Sequence, residues 1–234
     1  MSEFRLSFPA WLLAGKSRLS AEDVLTLRRV SFPDGIRASD DAALLLAIHH
    51  SCPEKCDEWD GFFIEALTNF IVHHTYPQGS LDDINVAWLI RMLSSDNVVH
   101  SPTEFEVLMH VIDVSAHIPP LLSAFALDQL RHALNDGVGA YRQVRSVDRK
   151  GVTRHDLDFI HHVLRTSVHA GGMTLSPIEI EALDRIDKAT VSQANHPGWA
   201  ELRNAASPRS DGNAPRTRWL RVPDDMFTDT EAAA

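Results

Sequence analysis

Apolar residues recur along this chain at helical spacing. After Ser101 come Leu108, Val111 and Ile112, and after Ser176 come Ile180, Leu183 and Ile186. Such stripes mark amphipathic helices, whereas alternating runs with hairpin turns, the mark of half-buried strands, are nearly lacking. At the starts of these stripes a Ser or Thr stands three residues before an acid: Ser20/Asp23, Ser80/Asp83, Ser101/Glu104, Thr153/Asp156 and Ser176/Glu179. In such a capping box the hydroxyl accepts from a free N–H of the first turn, and the carboxylate reaches back and complements the helix dipole. Pro102 and Pro177 fall at the first helical position, where a missing N–H costs nothing. The pattern predicts helices near 20–31, 40–50, 58–75, 82–94, 102–116, 120–135, 154–168, 177–192 and 198–206. Loops at Tyr76-Pro-Gln-Gly79, Ile118-Pro-Pro120 and Asp136-Gly-Val-Gly139 separate them. The third helix carries Trp59, Phe63, Ala66, Leu67, Phe70 and His74 in one stripe, and Trp88 in the fourth, with Ile84 and Met92, offers a partner surface. The fold class is all-α.

Self-similarity adds an architecture. Residues 94–108 and 169–183 align without gaps, so that Ser101, Pro102, Glu104, Glu106 and Leu108 fall on Ser176, Pro177, Glu179, Glu181 and Leu183. A fainter copy at Phe32–Asp41 sets Gly35 opposite Asn97 and Gly172, and Ser39 opposite the two cap serines. The common unit is helix, short Gly- or Asn-bearing loop, one apolar residue (Ile36, Val98, Met173), Ser cap, helix. Gly and Asn tolerate positive φ, and the apolar residue can pin the loop to the core. Tandem helix–loop–helix repeats near 20–75, 80–135 and 153–206 therefore form one helical body, residues 20–206, with an N-terminal segment 1–19 and a tail 207–234 outside it.

This unit resembles an EF-hand and the helical repeat of the TerB-like family of tellurite-resistance and stress-associated bacterial proteins. The resemblance implies a bacterial-type protein built from degenerate EF-hand-like units. Calcium itself fails on composition. With Gly35, Asn97 or Gly172 at the sixth loop position, positions 1, 3, 5 and 12 read Val30, Phe32, Asp34, Asp41; Met92, Ser94, Asp96, Thr103; and Ser167, His169, Gly171, Ile178. An EF-hand needs oxygen ligands at the first three and a bidentate Glu at the last. TerB-like proteins use acidic clusters for metal or partner contacts; here the acids stand mainly at helix starts and on polar faces.

The 32 acidic and 22 basic side chains, a formal charge of −10, argue against a general nucleic-acid or anionic-membrane binder, which needs clustered Lys and Arg. No run approaches the roughly 18–20 apolar residues of a membrane span. Near the start, Trp11-Leu-Leu-Ala-Gly15 is a short apolar patch behind Pro9, without the basic region of a signal peptide. The expected compartment is the cytoplasm, and Cys52 and Cys56 are expected as thiols.

Candidate chemistry is sparse. His155, Asp158 and His162 share one helical stripe, as do His49, Cys52 and Cys56 if the helix survives Pro53; both sets contain ligand types suited to zinc or another transition metal. No HExxH, paired CxxC, Gly-x-Ser-x-Gly or Walker loop accompanies them. Arg142, Arg145, Arg149, Lys150 and Arg154 read as an exposed loop that could attract an anion or an acidic partner. From Ser207 the composition becomes that of a linker, and beyond it Arg218, Trp219, Leu220 and Arg221 combine aromatic and guanidinium groups as interfaces do. The reading is a non-enzymatic interaction or adaptor module that binds another protein, without a cofactor. The alternative is a metal-binding helical protein, sensor or enzyme, using His155, Asp158 and His162.

Overall fold

The computed structural model describes residues 15–145, 150–169 and 172–206. Within them the chain forms helices α1 (Ala21–Thr26), α2 (Ser39–Ser51), α3 (Asp57–Asn69), α4 (Asp83–Leu93), α5 (Pro102–Val114), α6 (Pro120–Asn135), α7 (Ala140–Val144), α8 (Arg154–Val163), α9 (Pro177–Thr190) and α10 (Pro197–Ala206). Helices α1 and α3 run on as π-helical turns, Leu27–Ser31 and Phe70–His74, closed by i→i−5 bonds from Phe32 N to Leu27 O and from Thr75 N to Phe70 O. A two-residue antiparallel pair, β1 (Val168–His169) and β2 (Gly172–Met173), sets Val168 opposite Met173. The fold is all-α, and no helix among the described residues is long and apolar enough to cross a membrane.

Most boundaries follow the caps. Ser20, Thr153 and Ser176 each close a full capping box with Asp23, Asp156 and Glu179. Three starts differ from expectation. Helix α4 is capped by Asp82, not Ser80, because the Asp82 carboxylate reaches Asn85 N at 2.8 Å. Ser39 is the first residue of α2 rather than its cap, a position held by Ala38 without a side-chain bond. Ser101 caps α5 without a full capping box, and the Glu104 carboxylate is bonded to His50. The helix expected to reach 168 stops at Val163, and a 3-10 turn, Arg165–Ser167, leads into the β pair. Helix α7 has no counterpart among the expected helices, since the glycines before it read only as a turn.

The two segments that align in sequence each carry a Ser cap, a proline at the helix start and a buried glutamate. The short antiparallel pairings before them differ in register: Ser95 with Val98 in one, and Val168 with Met173 and His169 with Gly172 in the other, whereas the alignment sets Val98 on Met173. Asn97 and Gly35 both have positive φ (62° and 77°), and Ile36 and Val98 are buried beside them.

Packing is continuous from Leu19 to Ala206. Helix α9 lies along α6, and α3 along α5. In α6, Leu122, Ala126, Leu127 and Leu130 have no exposed surface. An ion cluster fastens α9 to it: Asp128 accepts from Arg185 through Nη2 (2.7 Å) and Nε (3.1 Å), and also from Arg131 Nε at 3.0 Å. The fork of two parallel bonds holds the Arg185 guanidinium charged. Arg165 donates to the carbonyls of Ile112 and Asp113 at the C-terminus of α5, where a cation complements the dipole.

Gly139 shows how tightly the loops close. Its φ is +88°, and a Cβ there would lie 3.1 Å from Val98 Cγ1 and 3.3 Å from Val99 O. Gly139→Ala is expected to cost about 1–3 kcal/mol through strain and crowding, measurable as a lower urea midpoint at unchanged slope.

Candidate functional site

Two features carry the chemistry that this fold exposes or encloses: a histidine cluster where α2 meets α3 and α5, and an apolar groove between α1 and α3.

The cluster begins with His49, 5% exposed and stacked on Phe63 with ring centroids 4.4 Å apart. Trp59 Nε1 donates to His49 Nδ1 at 3.1 Å. An indole nitrogen can only donate, so Nδ1 must be unprotonated and the neutral ring carries its proton on Nε2. That proton points at Ser101 Oγ, 3.1 Å away. Burial, then the charges of Lys55 and His50, depress the His49 pKa to about 3. Ser101 Oγ also accepts from Glu104 N at 3.4 Å. A hydroxyl activated for attack must donate to its histidine; here the histidine donates to the hydroxyl. The pair has the residues of a nucleophile and base with the polarity reversed, and its work is structural.

Beside it, His50 Nε2 lies 2.6 Å from Glu104 Oε1. The carboxylate is buried while the imidazole is more than half exposed. Burial raises the Glu104 pKa, opposed by the bond and charge of His50. The pair opens on a 240 Å³ hollow lined by Met92, Ser94, Ser95, Val98 and His100.

The groove is larger, 560 Å³, and of different character. Ala21, Val24, Leu25 and Arg28 line one wall, and Glu58, Gly61, Phe62 and Glu65 the other. Each set is spaced i, i+3, i+4, i+7, so each wall is one stripe of one helix. Val24 and Phe62 form the floor, while Leu25 is 49% exposed. Arg28 Nη2 meets Glu65 Oε2 at 2.8 Å and its guanidinium lies 5.1 Å from the Phe62 ring centre. Glu58 adds a second carboxylate at the lip.

The residues expected to bind metal are not brought together. His155 stacks on Tyr141, Asp158 faces outward, and His162 Nε2 pairs with Asp113 Oδ1 at 2.7 Å. His49 is occupied as above, Cys52 Sγ donates to Lys16 O at 2.8 Å, and α2 ends at Ser51, before Pro53. Among the described residues, no group of three or more His, Cys, Asp or Glu is disposed to hold a metal ion. Both cysteines are free thiols.

The basic loop also reads differently in three dimensions. Arg145 is buried, and its Nε and Nη2 each lie 2.8 Å from an oxygen of the fully buried Asp156. Asp156 further accepts from Tyr141 Oη (3.0 Å) and from Thr153 N and Oγ1 (both 2.7 Å). Burial and then the Asp156 charge hold the Tyr141 phenol well above its ordinary pKa. Arg145 is thus core, not an anion site. Arg218, Trp219, Leu220 and Arg221 lie outside the described residues. The groove has no signal of its own in the sequence, since periodicity shows that a helix face is apolar but not which of the described helices line an opening along it.

No protein-family model, curated protein or solved structure matches this chain.

Proposed function

We propose that this chain is a non-enzymatic interaction module that seats a short segment of another protein in the groove between α1 and α3. The carrying observation is the groove itself, with two helical stripes, an apolar floor of Val24 and Phe62, exposed Leu25, and carboxylates at Glu58 and Glu65. Two helices side by side leave a furrow of the width that a third helix or an extended apolar segment fills. The occupant this chemistry selects has an aromatic or aliphatic anchor with Lys or Arg nearby: the anchor displaces water from the floor and the cation meets Glu58, Glu65 being paired with Arg28. The reversed polarity of His49 and Ser101 supports a binding role over hydrolytic chemistry at that pair. The Ser cap, helix-start proline and buried glutamate shared by 101–104 and 176–179 support the tandem helix–loop–helix organisation that the TerB-like resemblance implies.

Gly61 makes the test clean. A Cβ there meets nothing within 4 Å, so Gly61→Trp should fill the groove without disturbing the helix. Peptides selected from a random display library on the wild-type chain are expected to share an apolar anchor with a basic residue within about one helical turn. Their affinity should fall about tenfold or more in Gly61→Trp and Leu25→Glu, and remain unchanged in His50→Ala, measured by titration calorimetry. Selected peptides that bind Gly61→Trp as well as wild type would refute the proposal.

A further inference from the structure

We infer that the outer face of α4 is a self-association surface, on which a second copy of this chain packs its own α4 in the antiparallel sense. The face shares no residue with the groove, so it stands independently of the peptide-binding reading.

The apolar part of this face is unusual for a helix start. Helix α4 turns Val86, Leu89 and Leu93 into the core. Ile84 falls on the opposite side and is 78% exposed. Trp88, one turn further on, is partly buried and meets Phe70 edge-on with ring centres 5.8 Å apart. Asn85 Nδ2 donates to Tyr76 O at 2.7 Å, which lays the chain at Tyr76 beside the first turn of α4. Tyr76 is itself 87% exposed. A single exposed apolar residue is ordinary, but Tyr, Ile and Trp gathered at one helix start have the composition of an interface centre.

The charges on the face select its occupant. Asp83, Ala87 and Arg91 are exposed and stand at i, i+4 and i+8, one ridge of the helix. Among the described residues no ion pair or side-chain hydrogen bond holds Asp83 or Arg91, whereas Arg131, Arg185 and Arg203 each meet an aspartate. The acid and the base lie four residues on either side of Ala87. A two-fold axis at Ala87 therefore sets Asp83 of each copy beside Arg91 of the other, twice over. The small side chain on the axis lets the two ridges approach, and packing of i±4 ridges is the commonest way helices meet. The N-terminus of each helix also lies beside the C-terminus of the other, which the helix dipoles favour. A parallel pairing would set like charges together. The face thus carries its own complement, which a partner of one charge sign would match only by half.

The contact is small. Eleven residues of helix span about 16 Å, at the low end of interface size, so the dimer is reversible with a dissociation constant on the order of tens of micromolar.

Sedimentation equilibrium of the full-length chain tests this, loaded from about 5 µM to about 500 µM to bracket that affinity. The wild-type mass should rise from one copy toward two across the range. Asp83→Arg and Arg91→Asp each turn two attractions into two repulsions, so each alone should weaken association about tenfold or more. Mixed in equal amounts, the two variants should associate with each other as wild type does. The double variant, in which the charges are exchanged, should recover self-association to within about threefold of wild type. Ala87→Glu places like charges on the axis while keeping a good helix former at an exposed site, and it should be monomeric with an unchanged circular dichroism spectrum. A wild-type chain that stays monomeric throughout overturns the inference. So does a dimer that Ala87→Glu leaves intact, or a pair of charge variants that do not associate when mixed. A dimer lost in Gly61→Trp but kept in the α4 variants places the contact at the groove and overturns it as well. Peptide binding to the groove should be the same in wild type and Ala87→Glu, so failure of either reading leaves the other measurable.

Discussion

Asp156→Asn is expected to destabilise the fold by about 3–5 kcal/mol, because it leaves the Arg145 guanidinium buried without its counter-charge. The native carboxylate accepts from the guanidinium, the Tyr141 phenol, and the Thr153 backbone and hydroxyl. It is therefore at once an ion-pair partner and the third-position acid of the α8 capping box. For a domain of this size the loss corresponds to a fall of roughly 10 °C or more in melting temperature. Arg145→Met should cost less, since Asp156 keeps three neutral donors, and the double variant should cost less than the sum of the two. Thermal and urea unfolding of the four proteins gives the coupling. If Asp156→Asn melts within about 1 kcal/mol of wild type, the network is not a stabilising centre.

The second large effect is a dependence on pH set by His49. In the native state its pKa is lowered to about 3, while in the unfolded chain it titrates near the ordinary value of about 6.5. Between those values the unfolded state binds one more proton than the native state. The contribution of His49 is thus fully present above about pH 6.5 and is lost as pH falls, at about 1.4 kcal/mol per pH unit. Glu104 works the other way. Its native pKa is raised by burial, so just above the ordinary carboxyl range the native state holds the extra proton, and acidification there favours the fold. The net slope should be steepest from about pH 6.5 down to where Glu104 begins to protonate, and shallower below. His49→Phe keeps a ring against Phe63 but strands the Trp59 and Ser101 groups, so it should lower stability at neutral pH. It should also flatten the pH slope by one proton. Urea unfolding of both proteins from about pH 7 to about pH 4.5 measures this. Identical slopes would show that His49 does not remain neutral in the fold.

Much of the fold was legible in local chemistry, because a cap requires only residues three apart. Ser20 with Asp23, Thr153 with Asp156 and Ser176 with Glu179 all act as their spacing predicts. Where two side chains could compete, spacing was insufficient: Asp82 caps α4 because its carboxylate reaches Asn85 N, a choice settled by the path of the chain before the helix. Arg145 departs from its expected exposure for a different reason. Arginine is usually exposed, and its partner Asp156 reads in sequence only as a cap acid; nothing in the pattern shows one carboxylate serving both ends of a loop. The His49–Ser101 contact joins residues 52 apart and depends on how α2 crosses α5. The groove is the clearest limit. Val24, Leu25 and Phe62 look like any other core-facing stripe until the neighbouring helices are placed.

The run from Trp59 through His49 to Ser101, met there from the other side by the Glu104 amide, converges on one oxygen, since the His49 proton and the Glu104 N–H both point at Ser101 Oγ. Its ends are fixed by groups that cannot turn round, an indole that only donates and a backbone N–H that only donates. Position 101 is left as the one double acceptor, and position 49 as the one group that must both receive and give. In chains descended from a common ancestor with this one, positions 49, 59 and 101 should therefore drift as a set. A change at one of them would persist only alongside a matching change at another, and this would tie α2, α3 and α5 together in evolution as they are tied in space.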